Sequence, residues 1–211
     1  GVIFAGEVDI RVIEEFRKQS IPVVLVNNYL DMDGLVCISA DHYGGAVQAT
    51  EYLCKLGHCK IGLLSGRFSP QVSEARIEGF VKTLAKYDIP VDDRFIADIE
   101  PALEDGEEIM TRMLREVDRP TAFFCTNDTI AAGAMKAVTR AGLRVPEDIA
   151  IIGFDDSYIS RVVEPELTTV RIDAAKMGCL AMQTLFDLIA GMPVEKAHIQ
   201  IPTELIVRGT A

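Results

Sequence analysis

An α/β fold built on parallel strands is what this sequence predicts, on three observations. Short, apolar runs rich in β-branched residues recur along the chain. They alternate with segments that have readable helix ends, and turn residues bound each run. Strands covered on both faces read as such continuous apolar runs, and consecutive parallel strands are joined by right-handed crossovers. No internal repeat, low-complexity tract or long linker interrupts the alternation.

The first two runs are Pro22–Val26 and Leu35–Ser39, and Lys60–Ser65 is the third. Ser69-Pro70 then places a cap before a proline at the first helical position, opening a helix to about Lys86. Asp105 followed by Glu108 fits a capping box, which opens a helix to about Glu116. After the run Thr121–Cys125, Asn127 caps a helix to Ala141, with Gly142 as its stop and Pro146 just beyond. Ile149–Phe154 completes the regular alternation. A loop with Pro165, the segment Leu167–Arg171 and a long helix capped by Asp173 and ending at Gly191-Met192-Pro193 follow. Two short strands around His198–Ile201 and Glu204–Val207 close the chain. A late helix after a complete array points to a chain that returns to an earlier lobe.

Composition bounds the function classes. The 211 residues are 49% apolar and 25% charged, enough for one large domain or two modest ones with a real core. No apolar run approaches the ~18 residues of a membrane span, so no membrane partner is expected. The first ten residues lack a basic stretch followed by an apolar one, so no secretory signal is read there. Thirty-two acidic against 21 basic residues give a net charge of −11, which argues against this chain gripping nucleic acid by itself. Five cysteines (37, 54, 59, 125 and 179) form no CxxC pair and read as thiols of a reducing compartment, the cytoplasm. Cys54, His58 and Cys59 lack a second ligand pair at zinc spacing, so no metal site is expected.

In open parallel sheets, ligands sit beyond the carboxyl ends of the strands. The residues just past the predicted strands are Asn27-Asn28, Gly66-Arg67, Thr126-Asn127-Asp128 and Asp155-Asp156. Amides, carboxylates and an arginine converging on one edge suit a small polyhydroxylated or heterocyclic ligand. Each residue also has a plainer role: Asn127 as a helix cap, Asp128 as a first-turn acid, the aspartate and asparagine pairs as turns. Arg76, inside a helix, is by default a solvated or ion-paired surface residue. Catalytic signatures are missing: no GxSxG, HExxH, P-loop or GxGxxG after a strand. Asp155-Asp156 could hold Mg²⁺ in a phosphotransferase, but no phosphate-cradling glycine loop accompanies them. His42, His58 and His198 are scattered. A binding module with no cofactor is the better class.

Several stretches resemble the effector-binding core of the LacI/GalR family of bacterial transcription regulators. They are Ile21–Val26, Leu56–Ile61, Ser73–Phe80, Asn127–Gly133, Gly142–Ile149, Gly153–Asp156 and Leu167–Val170, in family order over essentially the whole chain. The resemblance implies a periplasmic-binding-protein-like architecture, two parallel-sheet α/β lobes joined by three crossings with ligand held between them. An N-terminal lobe would hold residues 1–40 and 174–198, and a C-terminal lobe residues 41–173 and 199–211. Crossings would fall near Ala40, near Arg171 to Asp173 and Ala174, and near His198–Pro202.

Residue by residue, Arg76 matches the family's arginine that forks onto ligand hydroxyls or an acceptor edge, Asn127 its amide and Asp155 its carboxylate. Asn27 falls where some members place an acidic contact. Glu100-Pro101-Ala102-Leu103 replaces the aromatic that members often offer there, leaving Phe68 or Tyr158 to stack on ligand. The resemblance further implies a homodimer and a small effector, a sugar first and a nucleobase or nucleoside second. It implies operator DNA read by a helix-turn-helix that precedes the position of Gly1, together with a hinge helix and the first βαβα stretch of the N-terminal lobe. Effector binding would then set operator affinity. A periplasmic sugar-binding protein is the rival reading, and a Mg-dependent enzyme using Asp155 and Asp156 a distant one.

Overall fold

The computed structural model describes all residues except 31, 33, 195 and 196. Along the chain run β1 (Val2–Ala5), α1 (Ile10–Lys18), β2 (Val23–Val26), β3 (Val36–Ala40), α2 (His42–Lys55), β4 (Ile61–Gly66) and α3 (Pro70–Lys86). A 3-10 turn at Asp93–Phe95 leads into β5 (Ile96–Ile99), α4 (Leu103–Met113), β6 (Ala122–Cys125), α5 (Asp128–Arg140) and β7 (Ala150–Asp155). The last elements are α6 (Ile159–Val162), β8 (Thr168–Arg171), α7 (Ala174–Ile189), β9 (His198–Ile201) and β10 (Glu204–Ile206). They divide into two units: Gly1–Asp41 with Asp173–Pro202, and His42–Ile172 with Thr203–Ala211.

The first unit is a parallel sheet in the order β1-β2-β3-β9. On one face, Ile13 of α1 packs with Val23, Leu25, Leu35 and Cys37. The second unit is a six-stranded sheet, β10-β8-β7-β6-β4-β5, parallel except for the antiparallel β10. Its strands are apolar on both faces because both are covered. Leu64, Phe123 and Ile151 pack with α4 and α5 residues such as Met110 and Ile130. Their neighbours Leu63, Phe124 and Ile152 point the other way, onto Leu53 of α2 and Phe80 of α3. The continuous apolar runs in the sequence thus report a real two-sided burial, and the α/β expectation holds.

Most predicted ends are observed. Pro70 opens α3, although Ser69 at its cap makes no side-chain bond to the helix; Asn127 caps α5 by accepting from the Ile130 N–H at 2.8 Å, and Asp173 caps α7 through Lys176 N–H at 2.8 Å. One helix start is corrected. α4 begins at Leu103 with Ala102 at its cap, so Asp105 lies in the first turn rather than capping it. The reason is tertiary: α4 and α5 touch backbone to backbone, and a Cβ on Gly133 would fall 2.1 Å from the Leu103 carbonyl. That docking holds an extra N-terminal stretch in helical form without a side-chain cap.

No helix among the described residues is long and apolar enough to cross a membrane. All five cysteines are free thiols. Among the described residues no three His, Cys, Asp or Glu side chains are grouped as a metal site would need.

Candidate functional site

At the carboxyl edge of the second unit's sheet, β4, β6 and β7 end in Gly66, Cys125 and Asp155. α3 starts beside that edge and delivers Arg76 to it from its second turn. Arg76 is 3% exposed, which corrects the surface reading of this residue. A buried guanidinium is tolerated only when its N–H groups and charge are matched. Here Nη1 donates to the Thr126 carbonyl, and Nη2 donates to Asp155 Oδ1 at 3.3 Å. Nε and Nη2 face His42 Nδ1 at 3.4 and 3.2 Å. The guanidinium carbon also lies 3.9 Å from the centre of the Phe154 ring and 5.0 Å from that of Phe68, so aromatic faces contribute to the matching.

His42, the first residue of α2, is the partner that sequence reasoning missed. Its burial and the Arg76 charge push its pKa down to about 3, so the ring is neutral and Nδ1 serves as acceptor. Thr126 meets Arg76 through a backbone oxygen, which no side-chain pattern can announce, while its Oγ1 accepts from the Gly66 N–H at 2.7 Å.

Asp155 and Asp156 are set apart by their surroundings. Burial raises Asp155 to about 6, Arg76 pulls it down and Asp128 adds to the rise. Burial would also raise Asp156, but hydrogen bonds from Arg208, Arg171 and Ser160 outweigh it and hold that carboxyl at about 2. Asp128, read as a first-turn acid, is buried: it accepts from Thr169 Oγ1 at 2.5 Å and from the Ser157 N–H at 2.6 Å. Burial pushes its pKa up. It ties α5 to β8 and to the turn after β7.

Of the predicted contacts, Arg76, Asp155 and Phe68 come together. Phe68 lies across Gly66, where a Cβ would sit 2.7 Å from its ring, and faces Arg76. Asn127 follows Thr126 at the same edge, with its Oδ1 committed to the cap of α5. Arg67 turns away to Asp98 and Glu100, and Tyr158 is exposed. In the first unit, Asn27 ends β2 with φ +50, and its buried Oδ1 has no partner among the described residues. Asn28 is the loop builder, donating to the Gly6 carbonyl at 2.9 Å and accepting from Leu30 N–H at 3.0 Å. Ala40 ends β3, Arg171 ends β8, and Asp173 stands at the cap of α7.

A family model described as a periplasmic binding protein-like domain matches residues 50–211. The structure of a LacI-family regulatory protein from Chloroflexus aggregans superposes with a TM-score of 0.90, at 30% identity over 99% of this chain and 75% of that one. The chain belongs to the LacI family. The probable transcriptional repressor ExuR of Bacillus subtilis (strain 168) is 34% identical over 210 residues, 99% of this chain. The present LacI-family chain spans 63% of that relative's length. A ribose-bound LacI-family regulator from Enterococcus faecium has a TM-score of 0.88 and 26% identity, over 99% of this chain and 78% of that one. In this LacI-family chain, then, Arg76, His42, Thr126 and Asp155 form one buried polar cluster at the strand edge of the second unit.

Proposed function

We propose that this chain is the effector-binding core of a transcription regulator whose effector is a sugar. The observation that carries the reading is the pair of Arg76 and Asp155, 3.3 Å apart at the strand edge. A guanidinium donates in a fork and a carboxylate accepts at two oxygens, the complement of vicinal hydroxyl groups. The Enterococcus regulator with bound ribose supports the same class. Asn127 and Phe68 border this pair. Asn27, at the end of β2 in the first unit, carries a buried oxygen with no partner among the described residues.

The magnesium-enzyme alternative fits poorly. The Asp156 carboxylate is engaged by Arg208, Arg171 and Arg161, which leaves no pair of open carboxylates for a divalent cation. A non-enzymatic, cytoplasmic sensor is the reading favoured. Its operator contacts belong to residues outside this acidic chain, and it works as a homodimer.

Thermal shifts name the effector class. Monosaccharides including ribose, disaccharides, nucleobases and nucleosides are tested one by one. A ligand at a hundred times its Kd stabilises by ~2.7 kcal/mol. Stabilisation by one sugar is expected. Stabilisation by nucleobases alone overturns the sugar assignment, and turnover of any panel compound with Mg²⁺ overturns the binding-module reading.

A further inference from the structure

Asp155 and Asp156 are consecutive non-glycine residues at φ +108 and +51. Backbones of this kind persist only where surrounding contacts over-determine them. Asp155 supplies few of those contacts, since its carboxylate faces Arg76. Asp156 supplies many. Its side chain is 2% exposed, and Oδ1 accepts from Arg208 Nη2 at 2.5 Å and from Ser160 Oγ at 3.1 Å. Oδ2 accepts from Arg171 Nε at 2.7 Å, with Arg161 Nη2 at 3.5 Å. These groups come from three places: α6, the end of β8, and the tail after β10, where Arg208 also donates to the Leu167 carbonyl at 2.7 Å.

We infer that Asp156 is a positioning residue: its carboxylate, clamped by Arg208 and Arg171, fixes the turn that aims Asp155 at Arg76. Asp156 does not itself meet the effector. The functional consequence rests on the reading of Asp155 as an effector contact; the geometry does not. Asparagine is tolerated in left-handed backbone about as well as aspartate. Asp156→Asn therefore keeps the turn's local preference, while it removes the charge that draws in the arginines and replaces one of the two acceptor oxygens with an N–H donor.

The test is an NMR titration of the Asp155 carboxyl and the Arg76 side-chain N–H, with circular dichroism to confirm the fold. The charged or titratable groups around Asp155 are Arg76 on α3, His42 on α2, Asp128 on α5, Arg171 on β8 and Asp156 itself. In the unaltered chain the Arg76 signal should follow the Asp155 midpoint, because the two side chains are 3.3 Å apart. In Asp156→Asn the midpoint should fall by more than one pH unit toward the ordinary carboxylate value, and the Arg76 inflection should vanish. Loss of the Asp156 charge alone would shift the midpoint and keep the inflection, so a retained inflection overturns the inference. Arg171→Gln is the second variant, at a half-exposed side chain that the fold tolerates more readily. Removing a nearby positive charge would by itself raise the Asp155 midpoint; loosening the clamp lowers it, and a rise overturns the inference. Neither titration needs an effector, so a ligand panel without a hit counts against the functional reading alone.

Discussion

Arg76 is held by four different kinds of partner, a backbone carbonyl, an imidazole nitrogen, a carboxylate and two aromatic faces. Its neighbours have been tuned apart in proton affinity, and two predictions follow from the signs. His42 has a folded-state pKa near 3 against an ordinary 6.5, so its contribution to stability is present above 6.5 and is lost as pH falls toward 3. Asp155 works the other way: its raised pKa favours the folded state below about 4, and that contribution is lost as pH rises through 6. His42→Gln keeps an acceptor for Arg76 and removes the first term, so the fall of Tm between pH 6.5 and 4 should become shallower. An unchanged slope would contradict the burial of a neutral His42. For binding, an ionised Asp155 is the better acceptor, so effector affinity should drop below pH 6 by up to about tenfold per unit. Asp155→Asn should leave affinity lower and independent of pH over that range. At this scale the sequence was partly legible. Arg76, Asn127 and Asp155 are identifiable from their motif positions, whereas His42 was one scattered histidine and Thr126 acts through its backbone. Those two emerge only when the start of α2 and the end of β6 are brought beside α3.

The elements show why the edge is rigid. α5 carries Asn127 and Asp128 at its start, and it is docked on α4 at glycines. A Cβ on Gly133 would meet the Leu103 carbonyl at 2.1 Å, and one on Gly106 the Ile130 carbonyl at 2.5 Å. Backbone cannot yield as a flexible side chain does, so Gly133→Ala should destabilise by about 1–3 kcal/mol. Urea unfolding measures it, and a loss under 0.5 kcal/mol would show that the two helices separate at little cost. Helix caps and covered strands were readable because each rests on local chemistry, a capping oxygen or a run apolar on both faces. β1, α1 and β5 were not singled out. β1 and β5 are four-residue edge strands, and α1 buries only Ile13 fully. The start of α4 escaped for the reason given by Gly133, because a contact across the sequence overrides the capping pattern.

For the whole molecule, the net charge of −11 sets how this chain meets DNA. It should leave a duplex unshifted in a gel assay at physiological salt, because it has no surplus of cations to displace counterions. Retardation of the duplex would contradict the assignment of operator reading to residues outside this chain. The chain runs between its units at residues 41–42, 172–173 and 202–203. The third passage brings the tail with Arg208 into the second unit, where it clamps Asp156.

Arg76 and Asp155 together grip the effector in this reading, and a calorimetric double-mutant cycle with the stabilising sugar tests that shared grip. Arg76→Ala should cost about 2–5 kcal/mol of binding, Asp155→Asn a comparable amount, and the double variant far less than the sum, because either loss already breaks the pair. Affinities unchanged in both single variants, or losses that simply add, would contradict it.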